Sequence, residues 1–240
     1  MRLALLTGGS RGIGCALAQK LVIDGFRVID YSRTAPHLYS VATDFASPLS
    51  AHRTVSNVLA SVDSNDLEDL VVVSNAATLE PIGPIAHKTP NATLENLNVN
   101  LASPILFLSA VVSHFQPTSC RKVIANISAG AAGRGVFGWS LYCAAKVGME
   151  NFIRTLAIEQ EAQPHPFVPI NIDPGVVDTH MHVVAAAAPL EEFPAANRFA
   201  YRRAQGQLTP PEQAADAITT LLLSSTLEAG HNYDARDVSA

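Results

Sequence analysis

The chain has 240 residues, 48% of them apolar and 15% charged, with a formal net charge of −5. That suits one α/β domain with a buried sheet and excludes a disordered chain. The negative balance, with no basic stripe interleaved with aromatics, argues against nucleic acid or an anionic membrane surface as a partner.

Residues 3–7 read as a strand, followed by a helix to about Asp24. Between them lies Thr7-Gly8-Gly9-Ser10-Arg11-Gly12-Ile13-Gly14. Glycines there allow a tight turn and close approach of a pyrophosphate to backbone N–H groups, and the helix N-terminus favours the anion. Residues 27–31 form a second strand, and a short strand precedes Asp44-Phe45. Residues 70–74 are a continuous apolar run, as expected of a strand buried on both faces. A long helix is predicted over 91–115, a strand over 122–128, a helix over 140–163 and a strand over 167–172. Residues 178–207 are rich in alanine, proline and histidine and carry no strand signal. They leave the sheet edge where ligands bind, so a substrate lid is expected, the alternative being a surface helical insertion. Residues 210–224 open with prolines and a glutamate and read as the last long helix. The alternation predicts a doubly wound parallel sheet (a Rossmann fold) with helices on both faces, as a single domain over 1–240.

No apolar stretch reads as the ~18 residues of a membrane span, and the first residues are too short an apolar run for a signal peptide. Cys15, Cys120 and Cys143 are scattered, without metal-ligand spacing, which fits a reducing cytoplasm. His180-Met181-His182 has no carboxylate or cysteine cluster to complete a metal site, so none is expected.

Tyr142-Cys143-Ala144-Ala145-Lys146 places a phenol and an ammonium four residues apart on one helix face. A free phenol ionises near pH ~10, and a nearby ammonium favours the phenolate. The pair is therefore a proton donor and acceptor for work near neutrality. The same spacing occurs on many solvated helix faces, so its weight comes from the other motifs.

Thr-Gly-x-x-x-Gly-x-Gly near the N-terminus, together with Tyr-x-x-x-Lys, resembles the short-chain dehydrogenase/reductase family, along essentially the whole chain. Asn75-Ala76-Ala77 falls where the family has Asn-Ala-Gly. Asn100 matches its helix asparagine. Pro174-Gly175, with Val177 and Thr179 following, matches its Pro-Gly…Thr beside the nicotinamide. The resemblance implies that Gly8, Ser10, Arg11, Gly12, Ile13 and Gly14 hold the dinucleotide phosphates. It implies that Tyr142 is the acid or base and that Lys146 tunes it and binds the nicotinamide ribose. Asn100 supports a water relay. Pro104, with no N–H, leaves the Asn100 carbonyl without its helical donor, which fits that role.

The resemblance places cofactor discrimination on Ser32 and Arg33. Neither is acidic, Arg11 supplies a second basic residue, and Asp30 comes two residues before the usual aspartate. NADP(H) is expected. Asp44-Phe45 resembles the pair that holds the adenine amino group.

The family's catalytic serine falls on residue 129, which is alanine here. Ser128 stands one place early, and strand alternation normally turns such a neighbour away. Three readings follow: an engineered Ser→Ala change, a natural protein of altered or weak activity, or Ser128 reaching the site where the strand ends. Gly138-Trp139-Ser140-Leu141-Tyr142-Cys143 resembles sepiapterin reductases and bacterial benzil-type reductases. That implies NADPH-dependent reduction of a ketone or diketone, with Trp139 stacked on a flat substrate or packed at the helix start. Asp234 would contact substrate or belong to a turn. The rival is a non-catalytic NADP(H)-binding or sensing protein, which Ala129 favours. The resemblance further implies a homodimer or homotetramer packed through the two long helices.

Overall fold

Leu70, Val71, Val72 and Val73 are fully buried because β4 (Asp69–Ser74) is covered on both faces. Side chains alternate across a strand. Leu70 and Val72 therefore join one core, and Val71 and Val73 the other. The computed structural model describes residues 1–238. Its sheet comprises β1 (Arg2–Thr7), β2 (Arg27–Ser32), β3 (Ser40–Ala42), β4, β5 (Arg121–Ile127), β6 (Val168–Asp173) and β7 (Asn232–Asp234). All are parallel, in the order β3-β2-β1-β4-β5-β6-β7. The fold class expected from the pattern is therefore observed.

On one face α1 (Gly12–Ile23) and α8 (Pro211–Leu223) bury Leu17, Leu21, Ile218 and Leu222. On the other, α2 (Pro48–Leu59), α4 (Ser103–Phe115) and α5 (Ser140–Gln160) bury Val55, Phe107, Val111 and Ile153. Burying such side chains contributes roughly 1.5–3 kcal/mol each. The chain winds one way from β1 and the other way from β4, so the crevice at the C-terminal ends of this adjacent pair is where a ligand belongs.

Three sequence expectations are corrected. The helix predicted over 91–115 is α3 (Pro90–Leu97), a π-helical turn over Asn98–Ala102, and then α4. Pro104 supplies no N–H, and the ladder shifts register around it, with the Ser103 N–H donating to the Asn98 carbonyl. The continuous run Pro90–Phe115 spans 26 residues at a mean hydropathy of 1.4, long and apolar enough to cross a membrane by those measures alone. Its Phe107, Leu108, Val111 and Phe115 are instead buried in the sheet core, which accounts for the hydropathy. Finally, Asp234 lies on a seventh strand and not in a turn.

Residues 178–207 fold as α6 (His180–Ala187) and α7 (Ala196–Ala204). A single bridge, Val177 with Thr209, closes the base of this excursion. His182 Nε2 meets the Phe199 carbonyl at 2.9 Å and ties the two helices, so this histidine faces α7 and not His180.

Candidate active site

The glycine turn is shaped by contacts that admit no side chain. A Cβ on Gly14 would lie 2.2 Å from the Gly8 carbonyl oxygen and 2.5 Å from Asn75 Nδ2. Asn75 in turn donates from Nδ2 to the Thr7 and Gly8 carbonyls at 3.1 and 3.2 Å. Thr7 Oγ1 accepts from the N–H groups of Asn75 and Ala76 at 2.9 and 3.0 Å. The ends of β1 and β4 are thus clamped across the crevice, with Ala77 following. Thr179 at the start of α6 packs on Gly12, where a Cβ would lie 3.1 Å from its methyl. The residues present fit a dinucleotide: a turn with Gly8, Gly9, Gly12 and Gly14 opens at the N-terminus of a 12-residue helix.

Asp30 is fully buried behind this turn. Its carboxylate accepts from Gly9 N at 2.6 Å, Ser32 Oγ at 2.7 Å and Ser40 Oγ at 2.8 Å. An acid so enclosed and so fully bonded does not read a ribose hydroxyl. Sequence reasoning missed its role as the brace of the turn. The signal was its displacement by two residues from the usual position. The same network corrects Ser32, whose hydroxyl is buried and committed to Asp30 instead of facing a 2′-phosphate. Arg11 and Arg33 are exposed, and their side chains make no hydrogen bond or ion pair among the described residues. Asp44 is exposed, and the neighbouring Phe45 is buried and held by Ser103 Oγ on its carbonyl at 2.6 Å.

Tyr142 and Lys146 are 5% and 6% exposed on the inner face of α5. The Lys146 ammonium sits 5.5 Å from the Tyr142 ring centroid and donates to the Ile127 carbonyl at 2.6 Å. Among the described residues, the Tyr142 hydroxyl meets only Met181 Sδ of α6, at 3.9 Å. Burial pushes the Tyr142 phenol above its ordinary value, with Asp173 and Cys143 adding to the effect. The direction is the reverse of the one expected from the sequence, because burial disfavours the phenolate. The phenol is held protonated, the form a proton donor needs. Burial also lowers Lys146 to about 8, against the opposing pull of Glu150 and Asp173. Lys146 therefore carries its charge below about pH 8 and loses it above. A reaction that uses the charged lysine slows as pH rises through that range, which a pH–rate profile measures.

Asn100 is buried in the π turn. Its Oδ1 accepts from Thr78 N at 2.9 Å, and its Nδ2 donates to the Thr78 carbonyl and Asn96 Oδ1, both at 2.9 Å. The asparagine thereby anchors the segment after Asn75-Ala76-Ala77. Asn96 was not singled out from the sequence; it is fully enclosed and donates to the Glu80 carbonyl at 2.7 Å.

Ser128 does not replace the missing serine. Its hydroxyl donates to Glu150 Oε1 at 2.6 Å, which uses its single proton. Ala129 packs instead with the apolar cluster that contains Tyr142. Ala129 also lines a cavity of about 280 Å³ with Glu150, Asn171, Asp173 and Asp234. Asp234 is paired with Arg236, which lowers its carboxyl below the usual range. Pro174 and Gly175 follow β6, with Gly175 N on Asp173 Oδ1 at 2.9 Å.

A family model described as short chain dehydrogenase matches residues 2–189. The benzil reductase ((S)-benzoin forming) of Bacillus subtilis is 30% identical over 242 residues, covering 99% of each chain. A sepiapterin reductase of Xenopus tropicalis is 26% identical, covering 97% of this chain and 95% of its own. The crystal structure of the KRED1-Pglu enzyme superposes with a TM-score of 0.82 at 24% identity, covering 97% of this chain and 100% of that one. With the glycine cradle, the clamped asparagine and the buried Tyr142–Lys146 pair in place, the chain belongs to the short-chain dehydrogenase family of nicotinamide-dependent oxidoreductases.

Proposed function

We propose that this protein reduces a ketone or one carbonyl of a diketone with NADPH, and the observation that carries this reading is the buried Tyr142 phenol with the Lys146 ammonium 5.5 Å from its ring. When bound, the dinucleotide supplies the hydride. Tyr142 protonates the alkoxide that forms. Lys146 holds positive charge beside the phenol. The Asn100 carbonyl stands for a relay that returns a proton toward Lys146. α6 and α7 exclude water from the reacting carbonyl through Met181.

Exposed Arg11 and Arg33, with Asp30 enclosed, support NADPH over NADH. Arg33→Asp is expected to lower the preference for NADPH over NADH by at least about tenfold, since it replaces a charge-assisted bond with repulsion. Paired titrations with the two reduced cofactors measure this. An uncharged outer stripe on α5, including Val147 and Ile158 at 47% and 67% exposure, supports packing between copies as a homodimer or homotetramer. The three unpaired thiols fit a cytoplasmic setting.

Ala129 favours a second reading, a dinucleotide-binding protein without turnover. Titration of NADPH by fluorescence, followed by assay of benzil reduction, separates the two. We expect NADPH binding, turnover by the protein itself, and faster turnover by Ala129→Ser. Binding without turnover in either form would leave the binding protein.

A further inference from the structure

We infer that the Trp139 indole N–H is a substrate-holding donor that grips an oxygen of the carbonyl compound beside Tyr142, an inference that rests on the reductase reading above. Trp139 Nε1 is buried and has no hydrogen-bond partner among the described residues. A buried donor without a partner is unfavourable and calls for an explanation. The other such groups are the hydroxyls of Tyr31, Tyr39 and Thr219. A hydroxyl can turn and also accept, whereas an indole N–H only donates, along a direction fixed by its ring.

That ring is clamped. It stacks on Phe193 at 4.9 Å with planes 12° apart, and meets Phe199 edge-on at 5.4 Å. Gly138 fixes the approach from the other side. Its φ is +80°, and a Cβ there would lie 2.6 Å from the Glu192 carbonyl oxygen. The indole is therefore held one helical turn before Tyr142, 5.7 Å between ring centroids. Leu79, Ala129 and Ala131 belong to the apolar cluster that holds the two rings. The acceptor missing from that cluster is what a carbonyl compound brings. With alanine at 129, this N–H is an orphan donor in the wall that holds the proton-donating phenol.

Trp139 is the single tryptophan of the chain, so ¹⁵N-labelled protein shows one indole cross-peak. Adding benzil to the NADP⁺-loaded protein, which has no hydride to give, is expected to move that peak downfield. Trp139→Phe keeps an aromatic ring at the stack and removes the donor. It is expected to lower kcat/KM for benzil by at least about tenfold while leaving NADPH affinity within about twofold. If benzil binds and the peak stays in place, or if Trp139→Phe folds and keeps kcat/KM within about twofold, the indole role is overturned and the reductase reading survives. If neither the unaltered protein nor Ala129→Ser turns over benzil, the reductase reading fails and the indole role falls with it.

Discussion

Replacing Tyr142 with phenylalanine is expected to cut carbonyl reduction on the order of 10²–10⁴-fold with no loss of fold or of NADPH affinity. Among the described residues the hydroxyl makes a single weak contact, to Met181 Sδ at 3.9 Å, so removing it breaks no strong hydrogen bond there. The ring keeps its place among Leu79, Ala131 and Phe193. What disappears is the proton donor alone. Steady-state kinetics with a parallel NADPH titration and a thermal melt read the three quantities separately. Retention of more than about a tenth of the activity would assign the proton to another group.

The second large effect is on binding. Gly14→Ala places a methyl 2.2 Å from the Gly8 carbonyl oxygen, a distance no rearrangement of a side chain relieves. The turn must open, and the Asn75 bonds that hold the ends of β1 and β4 together open with it. NADPH affinity is expected to fall by at least about 100-fold, with a lower melting temperature, because the backbone N–H groups no longer converge on a pyrophosphate. Gly135→Ala is the control. A Cβ there meets nothing within 4 Å, so affinity should be unchanged.

Features with a fixed local period or spacing were legible in the sequence. The run at β4 announced a strand buried on both faces, and the glycine turn announced its own location between strand and helix. Tyr142 and Lys146 are an i,i+4 pair whose meeting follows from the helix itself. Features set by distant partners were not legible. Asp30 reads as a ribose-binding acid displaced by two residues, until Gly9, Ser32 and Ser40 close around it. Lys122 gave no sign that it would be fully enclosed, donating to the carbonyls of Phe115, Gln116 and Thr118 at the end of α4. The direction in which Tyr142 shifts depends on how far its packed neighbours bury the phenol, and spacing along a helix carries no such information. Pro104 was a partial signal: it announced a missing bond in the long helix but not the π turn that answers it. α2 was absent from the predicted elements, although Ala51, Val55 and Leu59 repeat at helical spacing. β7, three residues long, offers no pattern at all.

Transfer of deuterium from NADPH labelled at the hydride-donating carbon tests the central claim most directly. Benzil is incubated with the protein and the labelled cofactor, and the product is examined by mass spectrometry. The account predicts one deuterium on the new carbinol carbon, formed by the unaltered protein with alanine at 129. Tight binding of labelled NADPH with no deuterated alcohol would contradict it.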